Sequence, residues 1–519
     1  MTLSLVYRRR GEQGNRIVSS EGIWLLSILA VGAFLRLFRV GHHSLWLDEA
    51  FSALLAQRDW GQIVSGTARD TMPPLYYLLL HPFLSLGSGE TFVRLPSVLW
   101  GIATIPLLYA LGKDLFSEKA GLVGAGLLAG SPFHVFYSQE ARMYSQLGFL
   151  SLLSAFCFWR AWQGRGKGYW LAFVLSTAAA LYTHNMAILH LSALGVFALA
   201  RWQRTRQKAW ALAVALVGIS LLFLPWLLYL PDQIARVGGR FWVETPSALE
   251  LLTTLGLFSF GYALPGPLIV VALTMALYAV FLTLFIAWRA WPGEGSGRES
   301  LLFALCLFAV PLAVSFLVSL RWPVFLPRTL MVSALAMLLL VGWGLTRTPR
   351  ALVALLAVGS MALTGLSLYN YYANPAYAKP PLREVADYLT ARFQNGDTVI
   401  HSSDSSYLAF AYYAPGLERH FLVGDPDYKE ETTRGRTGRI AGIRPEGLAE
   451  VVGDRDRLWV VMVLDHNVAY QQQVNDLVGQ RYPLISATDV GGIKVFLYDL
   501  KQGDASNLGE RVQWARDPR

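Results

Sequence analysis

Long, nearly uncharged apolar runs recur along most of this chain, and they constrain its fold more than any other feature. A helix that crosses a bilayer needs about 20 mostly apolar residues. Eleven segments fit this description: residues 23–39, 92–111, 119–136, 145–161, 169–185, 186–201, 209–230, 266–288, 300–319, 329–345 and 351–369. Only 15% of the 519 residues are charged, against about 25% in soluble domains. The sequence therefore predicts a polytopic α-helical membrane protein with about eleven transmembrane helices.

Basic residues are concentrated in loops that fall on one side of this threading. Residues 1–369 contain 27 Lys and Arg against 15 Asp and Glu, whereas residues 370–519 contain 17 against 20. The basic clusters are Arg8 to Arg10, Arg160 to Lys167, Arg201 to Lys208, and Arg347 with Arg350. Because positive loops stay in the cytoplasm, they predict a multi-pass protein of the cytoplasmic (inner) membrane with a cytoplasmic N-terminus. The basic excess is thus a topology signal, and no nucleic acid partner is expected.

The opposite, outward side receives two large segments. The first is a loop of residues 40–91, in which the stretch "LDEAFSALLAQRDWGQIVSG" alternates apolar and polar residues at helical spacing and predicts one or two helices lying along the interface. The second is the tail. Residues 1–369 are expected to form the transmembrane domain. Residues 370–519 are expected to form a small soluble α/β domain, periplasmic or extracellular, because short apolar strands such as "DTVIH" and "RLWVVMVLD" alternate with helical stretches. A hairpin is predicted around Gly491-Gly492.

Two adjacent carboxylates, Asp48 and Glu49 in "LWLDEAFS", open the first outer loop. In the structural interpretation Asp48 caps a helix and Glu49 favours its dipole. In the catalytic interpretation Asp48 is a general base next to a substrate hydroxyl. Both interpretations are compatible with the sequence.

Further polar residues gather on the same side of the membrane. "GTARDTMPPLYYLLLHPF" contains Arg69, Asp70 and His81, and "SPFHVFYSQEARMYSQ" contains His134, Gln139, Glu140, Arg142 and Tyr144. His184, Arg321 and Arg328 lie at outer helix ends. Ionisable groups at membrane depth are costly and usually mark function, although His134 is better interpreted as a core histidine, His81 as part of the interface and Arg321 as a residue that snorkels to headgroups.

A carboxylate base together with arginines that neutralise phosphate is suited to transfer from a lipid phosphate. Nucleotide sugars are absent outside the cytoplasm, so an outward-facing transferase needs a donor that is made inside and flipped. A polyprenyl-phosphate sugar meets that need, and membrane lipids surround the site.

Several motifs resemble one family. "LWLDEAFS", "DTMPPLYYLLL", "RLPSVLWGIATIPLLYALGKDLF", "SPFHVFYSQEARMYS" and "LPRTL" are similar to motifs of the GT-C membrane glycosyltransferases. The resemblance is to family 39-like enzymes, the bacterial relatives of protein O-mannosyltransferases and of the lipid A aminoarabinose transferase. The specific motifs lie in the first 190 residues.

The resemblance implies an inverting transfer of a hexosyl or pentosyl group from a polyprenyl-phosphate sugar to a hydroxyl of a glycan, lipid or protein. Asp48 would be the base and Glu49 its partner. The implied substrate-binding residues are Arg69, Asp70, Tyr76, Gln139, Glu140, Arg142, Tyr144, His184 and Arg328, of which Arg328 would hold the donor phosphate. Some relatives use a first-loop Lys for this phosphate, but here that loop offers only Arg58 and Arg69.

Two questions stay open at this level. Some enzymes of this family use a divalent metal such as Mg²⁺ or Mn²⁺, and Asp48, Glu140 and His184 are candidate ligands, although no spacing motif demands one. The alternatives to the transferase are a lipid-linked sugar flippase or transporter, and a ligase for lipid-linked oligosaccharides. A transporter would more often show inverted repeats and broken helices near the midplane.

Overall fold

The structure, a computed structural model, describes residues 20–239, 243–289, 296–417, 420–423, 438–440, 442–443, 445–446, 448–453, 455–463 and 468–502. The predicted basic cluster at Arg8 to Arg10 lies outside these residues. The described chain is mostly helical and carries a small β-sheet towards its C-terminal end.

The helices of the first half are α1 (Ser20–Leu37), α2 (Leu47–Ala56), α3 (Trp60–Arg69), α4 (Leu75–Leu84), α5 (Glu90–Leu115), α6 (Glu118–Gly130), α7 (Pro132–Ser138), α8 (Tyr144–Trp162), α9 (Gly168–Thr183) and α10 (Ile188–Ala200). They are followed by α11 (Trp202–Leu227), α12 (Leu230–Gly239), α13 (Ala248–Phe260), α14 (Gly266–Arg289), α15 (Ser296–Ser319), α16 (Met331–Leu345) and α17 (Arg350–Ala373). Short 3-10 helices span Asn185–Ala187, Pro327–Thr329 and Pro375–Tyr377.

Each of the eleven predicted apolar segments coincides with helix, so the predicted fold class is confirmed. Among the described residues, six helices are long and apolar enough to cross a membrane: α1, α5, α11, α14, α15 and α17. The pair α6 and α7 raises this number to seven if it is counted as one bent span. The remaining predicted spans correspond to α8 and to the shorter apolar helices α9, α10 and α16, so the full count of eleven stays a prediction.

The bend between α6 and α7 is 61° and has a local cause. Ser131 accepts a hydrogen bond from the backbone N–H of His134, and Pro132 follows as the first residue of α7. A capping serine with proline at the first helical position starts a new helix, because the proline lacks the N–H that would continue the old one. The chain after this bend carries Gln139, Glu140 and Arg142.

The stretch "LDEAFSALLAQRDWGQIVSG" forms two helices, α2 and α3, in agreement with the one or two expected there, and a third helix, α4, follows in the same loop. A further apolar helix, α13, lies in the outer segment between α11 and α14, where no helix was expected. Its start has a capping box between Ser247 and Glu250, a signal present in the sequence.

The C-terminal domain is a six-stranded sheet with helices, as expected. Its strands are β1 (Asp397–His401), β2 (His420–Val423), β3 (Pro445–Glu446), β4 (Arg457–Met462), β5 (Leu484–Val490) and β6 (Ile493–Asp499), and its helices are α18 (Leu382–Thr390), α19 (Asp404–Tyr413), α20 (Leu448–Val452) and α21 (Val468–Gly479). The order is β3-β2-β1-β4-β6-β5, parallel from β3 to β4 and antiparallel at β4/β6 and β6/β5. The predicted hairpin turns at Gly491 and Gly492, whose φ angles of 59° and 93° favour glycine.

Helix α19 of this domain packs on α2 of the first outer loop. Leu408 and Tyr412 belong to the same hydrophobic core as the α2 residues Ala50 and Phe51. The Tyr413 hydroxyl accepts from the N–H of Leu45 at 2.6 Å. The membrane part and the C-terminal domain therefore share one core around α2.

Glycines bring α5, α6 and α16 close together. A Cβ added at Gly342 of α16 would lie 2.7 Å from the backbone nitrogen of Gly124 in α6. A Cβ added at Gly112 of α5 would lie 2.7 Å from the Cα of Gly121 in α6. Small residues that let backbones approach are a common way to associate helices in membranes.

We expect Gly342→Leu to lower the thermal unfolding midpoint in detergent by several degrees, because the clash is with backbone that cannot rotate away. Gly365→Leu on α17 is the matched control, since a Cβ at that position meets nothing within 4 Å. Equal midpoints for the two variants would contradict the close packing.

Candidate active site

Asp48 and Glu49 lie in the first turn of α2 and have different surroundings. The N-cap of α2 is Trp46, which makes no side-chain cap, so the structure does not support Asp48 as the helix cap. The Asp48 side chain is 27% exposed, whereas that of Glu49 is fully buried. Successive residues of a helix point about 100° apart, which places one carboxylate at the surface of the site and the other inside the protein.

Glu49 is held by four hydrogen bonds. Arg94 of α5 donates from Nε to Oε1 at 2.7 Å and from Nη2 to Oε2 at 2.8 Å. Lys379 Nζ donates to Oε2 at 2.8 Å, and the backbone N–H of Ala141 donates to Oε1 at 2.9 Å. Burial raises the pKa of Glu49, but Arg94 and Lys379 outweigh it and hold that pKa at about 2. Glu49 is therefore an ionised structural group whose carboxylate does not face a substrate.

Arg94 also fixes the start of the first outer loop. Its Nη1 donates to the carbonyls of Val40 and His43 at 2.8 Å, and its Nη2 donates to the carbonyl of Ser44 at 3.1 Å. With Glu49, this guanidinium satisfies the carbonyls that lead into α2. The path of the chain towards Asp48 is thereby set.

Arg142 lies beside Asp48. The distance between its Nε and Asp48 Oδ2 is 3.9 Å, and its Nη1 is 3.4 Å from both Ser52 Oγ and the Tyr77 hydroxyl. These contacts are long, and the buried Nε has no hydrogen-bond partner among the described residues. A buried donor of this kind requires an explanation, and a bound anion would supply its partner.

Glu140 is the second acid of the site and is 1% exposed. Its buried Oε2 also has no hydrogen-bond partner in the described part of the chain. Burial raises the pKa of Glu140 to about 7; Lys379 opposes the rise, while Glu49 and Asp48 add to it. The protonated form of Glu140 is therefore present at neutral pH.

Arg328, Tyr144 and His184 complete the group. The Arg328 guanidinium lies 5.4 Å from the centre of the Tyr144 ring, and this ring lies 6.1 Å from that of His184. Burial lowers the pKa of Arg328, but Tyr144 and Asp48 raise it, so that the net shift is upwards. His184 sits at the break between α9 and α10, where its Nδ1 accepts from the N–H of Met186 at 3.0 Å.

Four other predicted site residues are placed differently. Tyr76 is buried and its hydroxyl bonds to Ser97 at 3.0 Å. Gln139 donates from Nε2 to the carbonyls of Leu35, Arg36 and Phe38 and so ties down the end of α1. Asp70 is buried and acts electrostatically on Tyr77, whereas Arg69, at the end of α3, is exposed. Tyr76 and Gln139 thus have structural partners instead of facing the site.

The residues expected to be structural have protein partners. His134 Nδ1 is 2.9 Å from Nη2 of Arg36, a fully buried guanidinium that also donates to the carbonyls of Gly32, Leu128 and Ala129. His81 Nδ1 is 2.7 Å from the carbonyl of Ala56. Arg321 is exposed next to Trp322.

Sequence reasoning missed Arg94, Lys379, Tyr77 and Ser52. Arg94 carried a signal, because a charged residue inside an apolar span is rarely free of a partner. Tyr77 is adjacent to the predicted Tyr76 and differs only in the direction it faces. Lys379 is 330 residues from Glu49 in the chain, and no local pattern marks it.

The donor set does not fit a resident divalent metal. Among the described residues, no three His, Cys, Asp or Glu side chains lie close enough to hold an ion. Asp48, Glu140 and His184 therefore do not form the ligand set that the sequence left open. The charged groups next to Asp48 and Glu140 are the cations Arg142, Arg328 and Lys379.

A separate cavity of about 230 Å³ lies between the start of the first outer loop and the segment after α17. Arg39, His42, His43, Tyr372 and Lys379 are among its lining residues. The cavity shares Lys379, His43 and Ser44 with the network around Glu49 and Arg94.

Comparison with known sequences supports the motif-based resemblance. Residues 71–229 match the family model for dolichyl-phosphate-mannose-protein mannosyltransferase. YycA of Bacillus subtilis (strain 168), a protein named as a mannosyltransferase, is 30% identical over 205 residues. That match covers 38% of this chain and 28% of YycA, so the chain spans less than a third of that relative's length.

Comparison with solved structures extends the likeness to nearly the whole chain. Apo ArnT from Cupriavidus metallidurans has a TM-score of 0.63 at 13% identity, over 94% of this chain and 100% of ArnT. The same protein bound to undecaprenyl phosphate gives 0.63 at 14% identity, over 92% and 98%. The archaeal oligosaccharyltransferase AglB from Archaeoglobus fulgidus, in complex with an inhibitory peptide and a dolichol-phosphate, gives 0.52 at 11% identity, over 91% and 74%. The chain therefore shares its fold with these membrane proteins over nearly its whole length, and residues 71–229 match the mannosyltransferase family model.

Proposed function

We propose that the protein is an inverting glycosyltransferase that moves a sugar from a polyprenyl-phosphate donor to an acceptor hydroxyl at the outer face of the cytoplasmic membrane. One observation carries the proposal: a partly exposed carboxylate, Asp48, lies 3.9 Å from Arg142 Nε, a buried donor that has no hydrogen-bond partner in the described chain. The arrangement combines a base with an anion-binding group. The N-terminus would be cytoplasmic and the C-terminal domain would face outward.

The reaction follows from these groups. Asp48 accepts the proton of the acceptor hydroxyl, and the resulting oxygen attacks the anomeric carbon of the donor. The bond from that carbon to the phosphate oxygen breaks, and the electron pair leaves with the lipid phosphate. A single displacement inverts the anomeric centre.

Arg142 and Arg328 are the proposed phosphate ligands. Both are largely buried, and both interact electrostatically with Asp48 and Glu140. Fixed cations in a dry site stabilise charge that develops on a leaving group without reorganisation. These two arginines take the phosphate-binding role that a first-loop lysine has in some relatives. Arg69, which is exposed, has a secondary role in binding the donor.

Glu140 is the proposed second acid. In its protonated form it donates a hydrogen bond from the Oε2 side, which has no partner among the described residues, and so orients a substrate oxygen without placing a second negative charge near the phosphate. Tyr144 and His184, next to Arg328, would line the sugar subsite. Asp70 acts electrostatically on Tyr77, which contacts Arg142.

The relatives support a lipid-phosphate donor, because ArnT is solved with undecaprenyl phosphate and AglB with a dolichol-phosphate. A hexosyl or pentosyl group and a glycan, lipid or protein acceptor all fit the proposal. The position of the charges favours a transferase over a flippase, since Asp48, Arg142 and Arg328 lie at helix ends and in loops, rather than on broken helices at the midplane.

We expect Asp48→Asn to lower turnover of a radiolabelled polyprenyl-phosphate sugar by about 10²- to 10⁴-fold, the usual contribution of a general base. The assay uses the full chain in liposomes with a panel of donors and acceptors. Asp59→Asn is the matched control, because Asp59 lies in the same loop, is exposed and makes no side-chain cap. Equal turnover by Asp48→Asn and the wild type would return Asp48 to a structural role.

We expect Glu140→Gln to reduce the loss of thermal stability on going from pH 5 to pH 8. The pKa of Glu140 is about 7 in the folded protein and near its ordinary value when unfolded. The folded state therefore binds this proton more tightly, so its stabilising effect is complete below the unfolded pKa and is lost as the pH rises through 7. A change in unfolding midpoint between the two pH values that is identical in wild type and variant would contradict this protonation behaviour.

A further inference from the structure

The segment that connects α17 to α18 inserts a lysine into the membrane part of the protein. Lys379 is 14% exposed, and its Nζ lies 2.8 Å from Glu49 Oε2. The same ammonium group is 5.8 Å from the centre of the Trp46 ring and 5.9 Å from that of Phe136. The carboxylate of Glu49 and the rings of Trp46 and Phe136 therefore fix the position of the Lys379 ammonium group.

We propose that Lys379 is a positioning residue, through which the C-terminal domain sets the geometry of the Asp48 site. This inference rests on the proposed transferase function and deepens it. Lys379 touches no reacting atom; it acts through Glu49 and Glu140.

The geometric argument starts from the Glu49 carboxylate. It joins four segments of the chain: its own helix α2, Arg94 of α5, the N–H of Ala141 in the loop between α7 and α8, and Lys379 of the connector. Ala141 lies between Glu140 and Arg142, and Asp48 precedes Glu49. The carboxylate therefore fixes the base relative to the two other charged groups of the site.

Contacts of the C-terminal domain strengthen this coupling. Tyr413 at the end of α19 accepts from the N–H of Leu45 and donates to Glu90 Oε1 at 2.9 Å. Arg383 of α18 donates to the same Glu90 oxygen at 2.6 Å. These contacts dock the C-terminal domain without touching Glu49. The effect of docking can therefore be tested separately from the effect of Lys379 on the position of Glu49.

Lys379 also sets the electrostatic environment of Glu140. The charged groups that act on Glu140 come from four segments: Lys379 from the connector, Glu49 and Asp48 from α2, Arg142 from the loop between α7 and α8, and Arg328 from the segment between α15 and α16. Lys379 is the largest of these charge effects, and it favours the ionised form. Its removal raises the pKa of Glu140 further.

The test compares kcat, KM and the pH profile of full-length Lys379→Met, Lys379→Arg and wild type. We expect Lys379→Met to lower kcat by at least tenfold while KM for the donor changes less than threefold. We also expect the limb of the profile near pH 7, which Glu140→Gln abolishes, to move to higher pH. Lys379→Arg should restore most of kcat, because the arginine keeps the charge.

Arg383→Met is the matched control, since it removes a docking ion pair but leaves Glu49 untouched. Wild-type kcat and an unmoved pH profile in Lys379→Met would overturn the inference, and so would an equal loss of kcat in Arg383→Met. Failure of the proposed function gives a different result: the wild type itself turns over no donor. In that case the proposed role of Lys379 in the transferase is refuted together with the transferase function.

Discussion

The buried ion pair between Glu49 and Arg94 is the interaction on which the structure around the candidate site depends. Both side chains are almost completely inaccessible, and removing two charges from water costs several kcal/mol per ion before any attraction is counted. The pair is tolerated because nearly every polar atom finds a partner, including three backbone carbonyls, one backbone N–H and Lys379. Removal of either Glu49 or Arg94 would leave the other charge buried without this partner, and its desolvation penalty would no longer be offset by the ion pair.

Two adjacent carboxylates thus have separate tasks. Glu49 is ionised, saturated with hydrogen bonds and closed to substrate, whereas Asp48 is partly exposed and only loosely paired with Arg142. The fixed position of Glu49 supports the role proposed for Asp48, because a general base acts only when its position is fixed. The two site atoms without a hydrogen-bond partner among the described residues, Arg142 Nε and Glu140 Oε2, lie around Asp48, the proposed base, and not within the saturated network.

Local patterns in the sequence predicted much of the fold. Apolar runs located the helices and Gly491-Gly492 located a hairpin. The bend before α7 was not predicted, because residues 119–136 were expected to form one span, although Ser131 and Pro132 explain it. Local patterns could not predict which way a side chain faces or which residues distant in the sequence contact each other. Tyr76 and Tyr77 are equivalent in the sequence, yet only Tyr77 contacts Arg142. Gln139 looked like a ligand residue but ties down α1, and Lys379 becomes visible only when residues 330 positions apart meet.

The most direct test of the account is a structure of the full-length protein with a polyprenyl phosphate bound in a lipid nanodisc. The account predicts the phosphate within about 3 Å of the guanidinium groups of Arg142 and Arg328, the normal distance for a charge-assisted hydrogen bond. The Asp48 carboxylate would face the same space. A phosphate bound instead in the cavity lined by Arg39, His42 and Lys379, with Arg142 Nε still unpaired, would contradict it.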